Sequence, residues 1–273
     1  MLLSPIYHLL FQMAATLYLA STICYLCGKQ RWAGWGVTLG LFVHTLSQIG
    51  RCWRYDFFTL EGVFHAGHFL PWCLAALIVL CWHRHQTHML SVLLPLSAVM
   101  VLVIAFPPEC HQPKPFTPTW SAHLFFIFEN LAHACFIVSG WLALQFLRGR
   151  MAGQQFHTYA VWGFVCYSIA QLSGCVWTYL GWGGLFHWGT RHIHSAAVWC
   201  CYCSYLHTSF LTGFYPRKKA YFAVVSSVLV LILFYGLPLV PKSGTNKMTR
   251  HQQLMEQQPT AQHAVTYKQQ EGS

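Results

Sequence analysis

Apolar positions along this chain fall in long blocks that are separated by short polar connections. Each block is long enough for a helix that crosses roughly 30 Å of hydrocarbon. The pattern therefore predicts an all-α, polytopic integral membrane protein with about eight transmembrane helices. The predicted helices cover about residues 5–27, 33–50, 62–82, 89–106, 120–147, 158–180, 193–214 and 220–240.

The composition supports a membrane protein and excludes an ordinary soluble domain. Charged residues make up 8% of the chain and hydrophobic residues 55%, whereas soluble domains are roughly 25% charged. So many apolar side chains exceed what one globular core can hold, and they must contact lipid. The net charge of +10 comes from basic residues scattered between apolar blocks, which indicates topology signals and no nucleic-acid partner.

The distribution of basic residues predicts the orientation. Odd-numbered connections between the predicted helices hold eight Lys and Arg residues, and even-numbered connections hold four. The positive-inside rule places the odd connections in the cytoplasm and both termini outside. We expect a multi-pass protein of a bacterial inner membrane. The polar segment 241–273 has little apolar content and is predicted to be a disordered tail, so residues 1–240 form the membrane domain.

Histidine is the residue type that the membrane environment does not explain. The chain has 17 histidines and only six acidic residues, and a buried imidazole is costly unless it is paired or ligated. His44, His133 and His207 fall deep in predicted helices. A second group falls at the predicted outer ends, beside tryptophans, and comprises His65, His68, His111, His123, His187, His192 and His194.

Glu129 and His133 are four residues apart and share one face of the predicted fifth helix. One interpretation is a proton relay or a support for a ligated histidine. The other is a hydrogen-bonded pair that tightens helix packing.

Haem is the ligand that best unites these features. A flat macrocycle favours aromatic surfaces, its iron takes axial histidines, and its propionates favour a basic rim. Zinc or copper sites need a compact cluster supported by carboxylates, which six acidic residues supply poorly.

One segment carries a resemblance to a known family. From Trp182 the chain reads WGGLFHWGTRHIHSAAVWCCYCSYLHT. This resembles the tryptophan-rich haem-binding loop and following helix of the cytochrome c assembly family, of the CcsA/CcmC type, whose pattern is W-G-x-x-W-x-W-D-P-K-E-x-W and then Y-L-H. The ungapped match meets Trp182, Gly183, Trp188, Trp199, Tyr205, Leu206 and His207, and Arg191 replaces a lysine.

The resemblance extends through residues 120–210, where it is strongest, with the loop at 177–194. The segment HLFFIFENLAHACFIVSGWLALQFLRGR, which begins at His123, is similar to the family's histidine-initiated helix. FYGLPLV, from Phe234, is similar to the end of its last helix. Phe186, Gly189, Thr190, His192 and His194 depart from the family pattern, so the loop keeps its frame and loses its acidic residues.

The resemblance implies that haem b is bound as cargo at the outer face and presented to the thiols of apocytochrome c. Other cytochrome c biogenesis membrane proteins are expected partners. His123 matches an axial ligand, His207 matches a transmembrane histidine, and His192 or His194 is the candidate for the second outer ligand. His133 is a further haem-binding candidate. Gly183 is a haem-binding candidate through its match to the family pattern, Trp182 and Trp188 would cover the macrocycle, and Arg191 would meet a propionate.

No catalytic residue is assigned, and whether the chain is an enzyme stays open. Two alternative functions stay open as well. A HemX-like membrane factor would influence haem biosynthesis without catalysis, which eight helices and an altered loop also suit. A b-type electron-transfer subunit would use His44, His133 and His207.

Overall fold

A computed structural model of the chain describes residues 3–55, 66–105, 119–151, 153–186, 189–211 and 215–236. In these ranges the chain forms eight α-helices and no β-strand, which confirms the all-α fold class. A 3-10 turn, Thr87–Val92, precedes α4, and a π-helical turn, Ile232–Gly236, ends α8. The helices are α1 (Leu3–Leu26), α2 (Gln30–Tyr55), α3 (Ala66–His83), α4 (Leu93–Ala105), α5 (Trp120–Leu147), α6 (Gln155–Trp182), α7 (Thr190–His207) and α8 (Pro216–Leu231).

The helices have the length and composition of a multi-pass membrane protein. Among the described residues, five helical segments are long and apolar enough to cross a bilayer, and His68–His83 is apolar but shorter. Large apolar side chains such as Ile23, Leu172 and Val225 are exposed on the helix surfaces, as expected for groups that contact lipid. Helices α2 and α7 are neither among the five long apolar segments nor apolar short helices, because they carry more polar residues.

Helix α5 begins and ends where the sequence predicts, at Trp120 and Leu147. Helix α7 does not, because it ends at His207 and a short 3-10 turn, Thr208–Phe210, follows it. The Thr208 hydroxyl donates to the Tyr205 carbonyl at 2.6 Å, and such local bonds compete with continued helix. The prediction of one continuous helix from residue 193 past His207 is therefore wrong.

Helix α5 is the central element of the bundle. It packs against α3, α6 and α8, while α1 packs against α2 and α4. Phe136 of α5 stacks on Tyr202 of α7 with ring centroids 3.6 Å apart. The Ser227 hydroxyl of α8 donates to the Phe136 carbonyl at 2.6 Å. These contacts fix the relative positions of the helices whose ends form the site below.

Candidate ligand cavity at the loop end of the bundle

Three helix ends meet at one end of the bundle. Phe125, near the start of α5, stacks on Trp177 near the end of α6, with ring centroids 6.0 Å apart. The guanidinium of Arg191, in the first turn of α7, lies 5.1 Å from the centre of the same Phe125 ring. We call this region the loop end, because the connection from α6 to α7 lies there. The tryptophan-rich segment predicted as a loop at 177–194 lies here, but the predicted loop bounds are wrong, because α6 continues to Trp182 and α7 begins at Thr190.

Gly183 ends α6 and turns the chain into this connection. Its backbone has φ +73°, and its N–H donates to the Tyr179 carbonyl at 2.8 Å. A residue with a side chain is strained in this left-handed conformation, which explains why the sequence has glycine directly after Trp182. Trp188 and the side chain of Trp182 lie outside the described residues, so their predicted contacts with haem stay predictions.

A cavity of about 520 Å³ opens between α6 and α7 at the loop end. This volume falls in the range of roughly 300–1,000 Å³ typical of small-molecule sites. Its walls are mainly aromatic and aliphatic, with a few polar groups. The lining residues are Phe125, Ser168, Gln171, Leu172, Gly174, Cys175, Trp177, Thr178, Leu185, Phe186, Arg191, His192, Ser195, Ala196, Trp199 and Cys200.

His192 is the histidine in the wall of this cavity. The Thr178 hydroxyl donates to the Gly174 carbonyl at 2.7 Å, so it accepts from Nε2 of His192, which lies 3.3 Å away. The ring of Phe186 meets the imidazole edge-on, with centroids 5.5 Å apart. Together these contacts fix the orientation of the His192 ring against the cavity.

Arg191 also lines the cavity, and Glu129 of α5 holds it in place. Nη2 of Arg191 donates to Oε2 of Glu129 at 2.6 Å, and the Glu129 side chain is only 3% exposed. The guanidinium also lies over the rings of Phe125 and Phe126. Charge-assisted bonds of this length are among the strongest in proteins. The Glu129 carboxylate therefore engages Arg191 and not His133, the pairing that the sequence spacing predicted.

His133 of α5 and His194 of α7 are not part of the cavity lining. Nδ1 of His133 is 3.1 Å from the Tyr235 hydroxyl, and its ring packs 4.6 Å from the Phe234 ring. The His194 ring faces the same Phe234 ring at 6.3 Å. The π-helical turn at the end of α8 thus brings these two histidines into one aromatic environment, separate from His192.

His123 and His207 lie at opposite ends of the bundle. His123 is in the first turn of α5 at the loop end, with Nδ1 2.7 Å from the Thr119 carbonyl. His207 is the last residue of α7, exposed, with Nδ1 2.7 Å from the Cys203 carbonyl. It lies roughly 26 Å along the helix axis from Thr190. The prediction that His207 is buried deep is therefore wrong, and His123 and His207 cannot ligate the same iron.

Within the described ranges, no group of three or more His, Cys, Asp or Glu side chains is placed to hold a bare metal ion. The observed arrangement is instead an apolar, aromatic cavity with one histidine and one charge-paired arginine in its wall. Such a lining suits a flat apolar ligand better than a free ion.

Sequence reasoning missed the Glu129–Arg191 pair and the contribution of Gln171 and Thr178 to the wall. A signal for the pair was available, because Glu129 is the one carboxylate well inside an apolar segment. A buried carboxylate normally requires a cationic partner, and Arg191 is the one Lys or Arg in the seventh predicted helix and the loop before it. The roles of Gln171 and Thr178 depend on helix rotation, which the sequence pattern does not define.

Fold and site together define a polytopic α-helical membrane protein with an aromatic-lined cavity at one end of its bundle. No protein-family model matches the chain. It is similar to proteins named cytochrome c biogenesis protein CcsA, which confirms the resemblance predicted from the tryptophan-rich loop.

Three such relatives show the extent of the similarity. The protein from Synechococcus sp. (strain CC9902) is 29% identical over 106 residues, which cover 37% of this chain and 34% of the relative. Those from Prochlorococcus marinus (strain MIT 9303) and Synechococcus sp. (strain CC9605) are each 31% identical over 78 residues, or 29% of this chain. These matches cover 24% and 26% of the relatives, respectively. The matched part thus spans about a quarter to a third of the relatives' length.

Proposed function

We propose that this protein binds haem b as cargo in the cavity between α6 and α7 and acts in cytochrome c biogenesis. The observation that carries the proposal is the coincidence of an aromatic-walled cavity of about 520 Å³ with the loop that resembles the haem-binding segment of the family. The names of the similar proteins support the biological process. We place the loop end on the outer side of a bacterial inner membrane, with both termini outside, where apocytochrome c and other biogenesis proteins are the partners.

The lining fits a porphyrin by its chemistry. Trp177, Trp199 and Phe186 offer aromatic surface to a flat macrocycle, and the imidazole of His192 is the iron ligand that the cavity wall provides. His123 lies at the same end of the bundle and remains our proposed ligand from α5. Trp182 and Trp188 remain proposed covers of the macrocycle. When bound, haem supplies vinyl groups to the thiols of a partner, so the chain itself needs to hold and orient the cargo.

The test is the absorbance spectrum of the detergent-purified full chain, with and without reductant, after expression with ample haem. We expect a haem spectrum with histidine ligation in the wild type and a loss of about tenfold in occupancy in His192→Ala. His194→Ala is the matched control, because it removes an imidazole two residues away that faces Phe234 and not the cavity. Equal loss in both variants, or no loss in either, contradicts the site.

A wild-type spectrum without haem would contradict the proposal as a whole and favour the HemX-like alternative, in which the altered loop binds no haem. The b-type electron-transfer alternative requires His44 as a haem ligand, and the contacts of His44 argue against that role. Nδ1 of His44 lies 3.3 Å from the Tyr18 hydroxyl, and Nε2 lies 3.2 Å from the Gln48 amide nitrogen. Both ring nitrogens of His44 are thus engaged by side chains.

A further inference from the structure

The cavity wall contains an ion pair between Arg191 and Glu129. Arg191 is the cation of the lining, and the resemblance assigns a haem propionate to it. In the structure, however, its guanidinium already donates to the Glu129 carboxylate at 2.6 Å. A carboxylate brought by a ligand would have to share a cation that the protein itself has paired.

The position of Arg191 depends on α5. Glu129, Phe125 and Phe126 are all on that helix, and all three contact the guanidinium. The Arg191 side chain is 26% exposed and that of Glu129 only 3%, so the carboxylate lies behind the arginine as seen from the cavity. The ion pair therefore adds no net charge to the cavity wall, and Glu129 holds Arg191 from the side away from the cavity.

The pair also retains unused hydrogen-bonding capacity. Nε of Arg191 and Oε1 of Glu129 are both buried, and in the described part of the chain neither has a hydrogen-bond partner. The same holds for Nε2 of Gln171, another residue of the lining. Buried polar atoms without partners are uncommon in folded proteins, and here three of them belong to the cavity wall or to the residue directly behind it.

We propose that Glu129 is a positioning residue that holds Arg191 in the wall and cancels its charge. The cavity then recognises the apolar body of a porphyrin, and the ligand's carboxylates stay outside it. This inference rests on the proposed function, because it assumes that the cavity takes a porphyrin. It replaces the expected contact between Arg191 and a propionate.

The test compares two metal-free probes on the full chain in detergent, protoporphyrin IX and its dimethyl ester, by quenching of tryptophan fluorescence. The measured quantity is the ratio of the two dissociation constants. Damage to the fold weakens both probes alike, so the ratio reports the charge in the wall. For the wild type, we expect the two dissociation constants to agree within about threefold.

Glu129→Gln leaves a hydrogen-bond acceptor beside Arg191 and removes the neutralising charge. We expect this variant to favour the dicarboxylate over the ester by about tenfold more than the wild type does, which is about 1.4 kcal/mol. The double variant Glu129→Gln with Arg191→Gln restores a neutral pair and should return the ratio to within about twofold of the wild type. Because it has no unpaired charge, it decides the question even if the single variant fails to fold.

Two results overturn the inference while leaving the proposed function intact. One is an unchanged ratio in a folded Glu129→Gln variant. The other is a double variant that loses the dicarboxylate alone by about tenfold, which would show that Arg191 binds a ligand carboxylate directly. If neither probe binds the wild-type protein, the proposed function and this inference fail together.

Discussion

Two regions of the membrane domain each bury an imidazole among polar partners, His44 in α2 and His133 in α5, and the two rings differ in how completely those partners satisfy them. In the N-terminal half, His44 of α2 is fully buried. The Gln48 amide nitrogen lies 3.1 Å from the His68 carbonyl and 3.2 Å from Nε2 of His44, so it donates to both. Nδ1–H of His44 then donates to the Tyr18 hydroxyl at 3.3 Å. Both nitrogens of the His44 ring are used within the protein.

The region around Glu129 lacks this completeness. Glu129, Arg191 and His133 each keep one buried polar atom that has no hydrogen-bond partner in the described ranges. Two of these residues form the ion pair in and behind the cavity wall. Because folded proteins satisfy nearly all buried polar groups, the difference separates two roles. Under the proposed function, His44 serves packing, whereas the Glu129 region lies beside the cavity that would take the ligand.

The largest effect that would test this comparison is on stability. His44→Ala removes two buried hydrogen bonds and leaves a void, so we expect it to lower the free energy of unfolding by about 3 kcal/mol. The measurement is thermal or denaturant unfolding of the purified chain in mild detergent. Haem bound per folded molecule should stay within about twofold of the wild type.

The matched control is His207→Ala, which removes an exposed imidazole from the end of α7. Its effect on stability should be within about 0.5 kcal/mol. If His44→Ala instead abolished haem binding in a protein that still folds, the N-terminal half would contain a ligand site, and the contrast between the two regions would collapse.

The next effect concerns the cavity itself. Trp199 of α7 lines it, is 38% exposed and donates to the Ser168 hydroxyl at 3.1 Å. Trp199→Ala removes aromatic surface from the wall, so we expect haem affinity to fall by about tenfold, measured by titration of the haem absorbance band. The melting temperature should change little, because the side chain is only partly buried.

Trp162→Ala is the control for this prediction. Trp162 is on α6, is 60% exposed and is not part of the cavity lining. Haem affinity should stay within about twofold of the wild type. A loss as large as that of Trp199→Ala would place the haem elsewhere on the helix surface.

The sequence predicts the helices well because they depend on local patterns, whereas the loop is shorter than predicted because the helices on both sides extend into it. The apolar blocks give eight helices, and the bounds of α5 agree with the prediction because Thr119 caps its start and polar residues follow Leu147. The end of α7 is mispredicted because Phe210 and Leu211 prolong the apolar block past His207, while the Thr208 hydroxyl bonds back to the Tyr205 carbonyl. Hydropathy contains no information on that bond.

The partner of Glu129 shows where local patterns fail. Spacing of four residues on one helix favours His133, whereas Arg191 is 62 positions away. In the structure Glu129 pairs with the Arg191 guanidinium, because the guanidinium donates a charge-assisted bond that is stronger than a bond from a neutral imidazole. Likewise, the sequence treats His192 and His194 as equivalent candidates. The rotation of α7 turns the first toward the cavity and the second toward Phe234.

The smallest effect tests whether the orientation of His192 matters for the ligand. Thr178→Val keeps the side-chain shape and removes the hydroxyl that accepts from Nε2 of His192. A hydrogen bond of this kind contributes about 1 kcal/mol, and the contact with the Phe186 ring remains. We therefore expect haem affinity to fall by about threefold in the same titration. Thr38→Val is the control, because Thr38 also donates to the carbonyl four residues earlier, in α2 and away from the cavity. A loss shared by both variants would trace the effect to helix packing, whereas a loss confined to Thr178→Val would show that the cavity orients His192 for its ligand.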